Sequence, residues 1–197
     1  MEYGHFDDAS REYVITRPDT PSPWINYLGS EAFFTLMSNT GGGYSFYKDA
    51  RMLRITRYRY NNVPTDAGGQ YFYIKDGDTV FTPGWMPVKT PLDAYECRHG
   101  LGYTTISGEK NGLFVRQTSM VPRGVDALVT RVSFATARTR PRTSPCSASW
   151  SSVCGTRRTM PPTSSATSPP ARWKSRAARF TTRPSTASAA TTMPSML

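Results

Sequence analysis

The run of residues with the clearest chemical potential lies at positions 39–62, NTGGGYSFYKDARMLRITRYRYNN. It combines a glycine turn with tyrosines and basic side chains. Arginine forks grip oxyanions and hydroxyls, and tyrosine rings pack on sugar faces, so the run could form a phosphate- or sugar-binding surface. Aromatic rings between cations also suit single-stranded nucleic acid. A solvated strand face beside a glycine turn fits the same spacing, and the three interpretations stay open.

A second candidate is a cysteine–histidine pair. Cys97 and His99 are two residues apart, so on a strand their side chains share one face. No third group can be named to orient the histidine, which favours a structural role over a nucleophile pair. Cys146 and Cys154 lie too far apart for a C-x-x-C site and have no histidine nearby, so no metal site is predicted. Four scattered carboxylates could supply a glycosidase pair, although sequence does not set their separation: Asp49, Asp66, Asp93 and Glu96.

The elements that must position these residues are short strands. Two runs, 71–74 and 79–81, flank an Asp-Gly turn and predict a hairpin. A second hairpin is predicted from 104–106 and 113–121 around residues 108–112, and 128–134 is another strand-like run. Residues 31–37 form the best helix candidate but fit a strand equally well. The predicted fold class is mainly β, an antiparallel β-sandwich.

Composition divides the chain in two. Of its 197 residues, positions 1–126 hold 13 basic and 14 acidic side chains, a net −1, and the 11 basic side chains after them account for the total of +10. The total alone indicates an anionic partner such as nucleic acid. Residues 136–197 are rich in Ser, Thr, Pro, Ala and Arg without periodicity, so we predict a disordered tail after a partial sandwich domain at 1–135.

The cellular compartment is predicted from the absence of signals for secretion, membrane insertion and disulfide bonding in this sequence. Its start, MEYGHFDD, is acidic and has no apolar signal core, and no run reaches the ~18 apolar residues of a membrane span. The three cysteines are an odd number, which argues against a disulfide framework. We therefore expect a cytoplasmic protein without a membrane partner.

Three segments, residues 3–29, 38–64 and 83–104, resemble in order the start of the cellobiose phosphorylases, and the match covers almost every position to about 134. The resemblance implies a cytoplasmic inverting phosphorylase that converts cellobiose and inorganic phosphate to α-glucose 1-phosphate and glucose, without a further cofactor. It also implies a large N-terminal sandwich, the phosphorylase supersandwich, followed by an (α/α)6 barrel, in a homodimer that binds no nucleic acid.

The resemblance places the general acid, an Asp, on that barrel, and no residue here matches it. No catalytic residue is therefore predicted, and we expect the chain alone to be inactive. The resemblance assigns a surface facing the barrel to six candidate substrate-binding residues: Tyr44, Ser45, Tyr47, Lys48, Arg51 and Arg57. A stand-alone carbohydrate-binding sandwich remains an alternative, as does a nucleic-acid-binding protein that uses residues 51–59 and the basic tail.

The resemblance ends abruptly after about residue 135. Residues 145–152, PCSASWSS, can be encoded so that the neighbouring frame reads Val-Phe-Ser-Phe-Val-Glu-Phe, which alternates as a buried strand should. For residues 161–177 and 181–194 as well, codons can be chosen so that the neighbouring frame encodes a sequence that resembles the family and contains acidic residues. We hypothesise that translation is out of frame from about 135–145 onward.

Overall fold

A computed structural model of the chain describes residues 2–56 and 68–136 in full, and the backbone of residues 142–150, 176–182 and 187–192. These residues form strands and turns, with no helix among them. The strands in chain order are β1 (Gly4–Asp7), β2 (Glu12–Ile15), β3 (Ile25–Gly29), β4 (Phe33–Ser38), β5 (Ser45–Tyr47), β6 (Gln70–Asp76), β7 (Thr79–Phe81), β8 (Ala94–His99), β9 (Tyr103–Lys110), β10 (Leu113–Met120), β11 (Val129–Thr136), β12 (Arg142–Trp150), β13 (Arg176–Thr182) and β14 (Ala187–Thr192).

Both predicted hairpins are confirmed. Strands β6 and β7 pair antiparallel around Gly77, whose φ of 61° is the left-handed conformation that glycine adopts most easily. Strands β9 and β10 turn at Asn111 and Gly112, with φ of 54° and 71°. Two successive left-handed residues are typical of the tight turn that matches strand twist. That turn is shorter than the predicted one, because Gly108 still lies within β9.

The ambiguous segment at 31–37 is a strand rather than a helix. Within β4, Phe33, Thr35 and Met37 are buried while Phe34 and Leu36 are half-buried. This alternation has the period of two that a half-buried strand requires. Short, aromatic-rich segments lack the length that would favour a helix, so pairing with β3 and β5 decides the outcome.

The strands are arranged in three antiparallel sheets. The largest has the order β1-β2-β8-β9-β10-β11-β14, the second β13-β12-β6-β7, and the third β3-β4-β5. One cluster of buried side chains joins the second sheet to the largest: Phe72, Ile74 and Phe81 pack with Leu113, Val115, Val132 and Phe134. Another joins the third sheet to the segment before β11: Leu28, Phe33, Met37 and Leu128. The predicted antiparallel β-sandwich is confirmed, with the two smaller sheets covering one face of the largest.

Three strands fall within the stretch 136–197, for which disorder was predicted. Residues 146–150 of β12 pair with β6, residues 176–182 pair with β12, and residues 187–192 pair with β11. The domain boundary near residue 135 stays a prediction. In the part of the chain that the structure describes, no helix is long and apolar enough to cross a membrane.

Candidate functional site

The triple-glycine turn between β4 and β5 positions the candidate substrate-binding residues. A Cβ atom on Gly43, whose φ is 141°, would lie 2.0 Å from the carbonyl oxygen of Leu36, so no other residue fits there. The Ser38 hydroxyl accepts a hydrogen bond from the Gly42 amide at 2.9 Å. Asn39 is fully buried, and its side-chain oxygen accepts a hydrogen bond from the Trp24 amide at 3.2 Å. The turn is therefore fixed, and it places β5 beside β4.

Two of the candidates lie on opposite faces of the third sheet. Ser45 is 2% exposed, and its hydroxyl donates to Thr35 Oγ1 at 2.9 Å, so it holds the sheet together from the inside. Tyr44, one residue earlier, is half-buried on the outer face, where its ring lies 5.7 Å from that of Phe46. The resemblance groups Ser45 and Tyr44 in one candidate substrate-binding site, but side chains alternate along a strand, so these two lie on opposite faces.

Tyr47, Lys48 and Arg51 lie together in sequence at the end of β5. Lys48 is exposed and has a φ of 58°, and its Nζ lies 5.2 Å from the centroid of the Tyr47 ring. Asp49 Oδ1 accepts hydrogen bonds from the amides of Arg51 and Met52 at 2.7 and 2.6 Å. These bonds hold the pKa of Asp49 below its usual range and fix the turn that presents the exposed Arg51. Arg57, the sixth candidate, and residues 57–67 around it lie outside the described residues.

The cavity beside the glycine turn has a volume of about 10 Å³ and is lined by residues that include Tyr44, Gly43 and Gln70. That is room for about one water molecule. A sugar ring does not fit inside, so a sugar contacting this region would have to lie on an open surface.

The cysteine–histidine pair shares one face, as predicted, with Cys97 fully buried and His99 half-buried. His99 Nε2 lies 3.1 Å from the Trp24 carbonyl oxygen, which can only accept, so Nε2 carries the proton. Cys97 Sγ lies 3.9 Å from the ring nitrogens of His99. Burial raises the pKa of the Cys97 thiol and lowers the pKa of His99, so both groups are neutral at pH 7. A neutral buried thiol is inert, which fits the structural role.

The scattered carboxylates also have structural partners where the structure describes them. Asp93 accepts hydrogen bonds from Lys110 Nζ at 2.9 Å and the Asn111 amide at 2.8 Å. Glu96 pairs with Arg98 Nε at 2.7 Å. These bonds, like those at Asp49, lower the pKa of each carboxyl, whereas a general acid needs a raised pKa. Asp66 lies outside the described residues.

A charge network on the outer face of the largest sheet was not predicted. Arg98 binds Glu12 at 2.9 Å, Glu96 at 2.7 Å and Asp7 at 3.4 Å. The Tyr103 hydroxyl donates to Glu12, whose side chain is 8% exposed. The spacing of Glu96 and Arg98, two apart on one strand, could have indicated the local pair. Glu12 and Asp7 lie more than 80 residues away in sequence, and no local pattern connects them to Arg98.

Comparison with known proteins assigns the family. Residues 11–148 match the family described as Glycosyl hydrolase 94, supersandwich domain. The chain is 45% identical over 147 residues to an N,N'-diacetylchitobiose phosphorylase of Vibrio furnissii, covering 73% of this chain and 18% of that protein. It is 47% identical over 131 residues to the N,N'-diacetylchitobiose phosphorylase of Vibrio proteolyticus, covering 64% of this chain and 16% of that protein.

A 3-O-beta-D-glucopyranosyl-beta-D-glucuronide phosphorylase of Paenibacillus borealis is 35% identical over 142 residues, or 71% of this chain and 17% of that protein. The chain thus spans less than a fifth of the length of these relatives. The family match runs to residue 148, somewhat past the boundary predicted near 135. With an antiparallel sandwich and a match over most of its length, the chain belongs to the glycosyl hydrolase 94 family and carries its supersandwich domain.

Proposed function

We propose that this chain is the N-terminal sandwich part of a glycoside phosphorylase, and that the complete enzyme cleaves a β-linked disaccharide with inorganic phosphate. The observation that carries the proposal is the family match over residues 11–148. It is supported by 45% and 47% identity to two relatives that are themselves named phosphorylases.

The chemistry assigns the chain a supporting role. Phosphate is itself a nucleophile, so phosphorolysis needs one general acid for the leaving oxygen and cations to hold the phosphate. Asp49, Asp93 and Glu96 all have lowered pKa values and existing partners, and are unsuited to be that acid. We place the acid on a catalytic (α/α)6 barrel outside this chain. The exposed Lys48 and Arg51 are the candidates here to face phosphate or sugar, together with Tyr44, Tyr47 and Arg57.

The relatives favour one sugar over another. Both Vibrio relatives are named for N,N'-diacetylchitobiose, whereas the resemblance in sequence pointed to cellobiose. Both disaccharides are β-linked and differ in their acetamido groups. We propose N,N'-diacetylchitobiose as the first candidate substrate and cellobiose as the second. We also propose the homodimer and the cytoplasmic location that the family resemblance implies, with neither nucleic acid nor membrane as a partner.

The 197-residue chain should form no sugar 1-phosphate when incubated with phosphate and either disaccharide, because we place the general acid on the barrel outside it. The measurement is phosphorylated sugar released over time, compared with a buffer blank and with a glycoside phosphorylase of known activity. Release of a sugar 1-phosphate by the chain alone would overturn the assignment of the acid to a barrel.

The reading-frame hypothesis is part of the proposal, and sequencing the coding DNA tests it. We expect the frame next to codons 145–194 to read Val-Phe-Ser-Phe-Val-Glu-Phe and the acidic segments that follow, and to continue open. The product of the restored frame should then cleave N,N'-diacetylchitobiose, or cellobiose, with phosphate. A neighbouring frame without this text contradicts the hypothesis, and a restored product that cleaves neither disaccharide contradicts the proposed function.

A further inference from the structure

The third sheet ends at strand β3, and in the part of the chain that the structure describes no strand pairs with one edge of it. The sheet order is β3-β4-β5, so β3 bonds to β4 on one side only. The opposite edge presents backbone amides and carbonyls at the surface. An edge of this kind is a template on which another extended chain can add.

Strand pairing identifies the backbone groups that face this edge. Tyr27 lies opposite Leu36 of β4, and the Leu36 amide bonds the Tyr44 carbonyl on the β5 side of β4, at 2.9 Å. Successive residues of an antiparallel strand bond to its two sides in turn, so Leu36 exchanges no hydrogen bonds with Tyr27. The amide and carbonyl of Tyr27 therefore point to the free edge. Those of Ile25 and Gly29, two residues away in each direction, point the same way.

The residues of β3 do not protect this edge. Its five residues, INYLG, include no charged side chain and no proline, the two features that commonly prevent edge pairing. The side chains of Ile25 and Tyr27 are 47% and 62% exposed. Both lie beside backbone groups that can still bond another strand.

The other edge strands that the structure describes in full are charged or covered. Strand β1 carries Asp7. The outer side of β5 is covered where Phe46 forms a β-bridge with Arg54. On β7, the Val80 carbonyl accepts a hydrogen bond from the Thr90 hydroxyl at 2.6 Å. Among these strands, β3 is the one with an edge suited to pairing.

We propose that β3 is a strand-addition surface whose partner is β3 of a second copy of this chain, paired antiparallel about a two-fold axis at Tyr27. In that register Tyr27 lies opposite Tyr27 of the second copy, and Ile25 lies opposite Gly29. Every residue whose backbone faces the edge thus meets another such residue, and each pair exchanges two hydrogen bonds. The third sheets of the two copies become one continuous sheet.

The side chains fit the same register. A Cβ on Gly29 would lie 2.5 Å from Phe34 Cδ1, so the Phe34 ring covers this glycine. Ile25 of the second copy packs there, on the Phe34 ring. The two Tyr27 rings are directly opposite on one face, within reach of each other, and no like charges meet. A second copy therefore suits this edge better than a strand of unrelated sequence.

The association should be weak, because a five-residue edge buries less surface than a standard interface. It requires the sandwich alone and does not rest on the proposed function. Sedimentation of the 197-residue chain between about 1 and 300 µM tests it, since a weak interface dissociates in this range. We expect the mass to rise from that of a monomer to that of a dimer and no further, because the pair leaves no β3 edge free.

A charge at the centre of the pairing should separate the two copies. Tyr27→Lys should weaken the dimer at least about tenfold, because it sets two like charges opposite each other and removes two rings. Phe6→Lys is the matched control, since it makes the same kind of change at an aromatic that is 77% exposed on the edge strand β1. It should leave the dimer unchanged.

Amide hydrogen exchange, followed by NMR, tests the pairing without a variant. The Tyr27 amide should exchange about fivefold more slowly at ten times the dissociation constant of the dimer than in dilute solution, by mass action. The Leu28 amide is the control within the same strand, because Leu28 pairs with Thr35 of β4 in monomer and dimer alike. Its exchange should not depend on pairing at the free edge.

Four results would overturn the proposal. These are a folded chain that stays monomeric at every concentration, aggregates that grow past the dimer, equal weakening by Tyr27→Lys and Phe6→Lys, or a dimer that leaves the Tyr27 amide unprotected. If Tyr27→Lys fails to fold, the exchange measurement on the unchanged chain still decides. Self-association is read without sugar or phosphate, so its failure is distinct from failure of the proposed function.

Discussion

Replacing Phe81 by alanine lowers the free energy of unfolding by about 3–5 kcal/mol, which removes much of the stability of a typical domain. Phe81 is fully buried between the second and largest sheets, where it packs with Phe72, Ile74 and Val115. The truncation leaves a cavity that two paired sheets cannot close, because the strand registers on both sides are fixed by hydrogen bonds.

The measurement is the urea midpoint of unfolding followed by tryptophan fluorescence, with the slope m compared between variants. Val80→Ala is the matched control, since Val80 is the neighbouring residue on β7 and is 36% exposed. We expect it to change the stability by less than about 0.5 kcal/mol. A loss below about 1 kcal/mol for Phe81→Ala would show that the two sheets do not pack through this side chain.

Arg98→Met lowers the free energy of unfolding by about 2–3 kcal/mol at pH 7, because it removes the cation that binds the buried Glu12 and leaves this side chain with the Tyr103 hydroxyl alone of its two partners. The Glu12 side chain is 8% exposed and has Arg98 and Tyr103 as partners. Arg116→Met is the control, since Arg116 lies on the same face of the sheet, where its Nε bonds the neutral Ser107 hydroxyl at 3.4 Å and its guanidinium lies 5.4 Å from the centroid of the Phe114 ring. It also lowers the pKa of Glu96, but less than Arg98 does. This control should cost less than about 0.5 kcal/mol.

At acid pH, the difference in the free energy of unfolding between the Arg98→Met variant and the unchanged chain should become smaller. The hydrogen bond from Arg98 lowers the pKa of Glu96, so this carboxyl stabilises the fold above its usual pKa and loses that effect as pH falls through the lowered value. The variant lacks this contribution from Glu96 at every pH, so acid removes stability from the unchanged chain that the variant never had. Urea midpoints at pH 7 and near pH 4 measure the change, and a difference that widens in acid would contradict the pairing.

Local signals in the sequence were enough for the hairpins and the fold class. Gly77 and Asn111-Gly112 adopt the left-handed backbone that their residue types predict, and strand alternation follows from there. The strand at β4 could not be decided locally, because a short aromatic run fits both periods. Its pairing with β3 and β5 decided it.

The candidate site was predicted less well, for a physical reason. Residues adjacent in sequence were grouped, yet Ser45 and Tyr44 point to opposite faces of the sheet, and Ser45 is buried. The Arg98 network escaped prediction because its partners Glu12 and Asp7 come from strands paired far along the chain. Binding roles for Tyr44, Tyr47, Lys48 and Arg51 stay predictions.

The strand order of the largest sheet also determines how long β2 must wait during synthesis for the strand that pairs with it. Strand β2 pairs with β8, so that Tyr13 lies opposite His99, and among the described strands β1 pairs with β2 alone. The β1–β2 hairpin is therefore synthesised more than 80 residues before its partner β8, an interval of roughly 4–17 s at ordinary elongation rates. During that interval Val14 and Ile15, both buried in the finished sheet, lack the cover that β8 contributes.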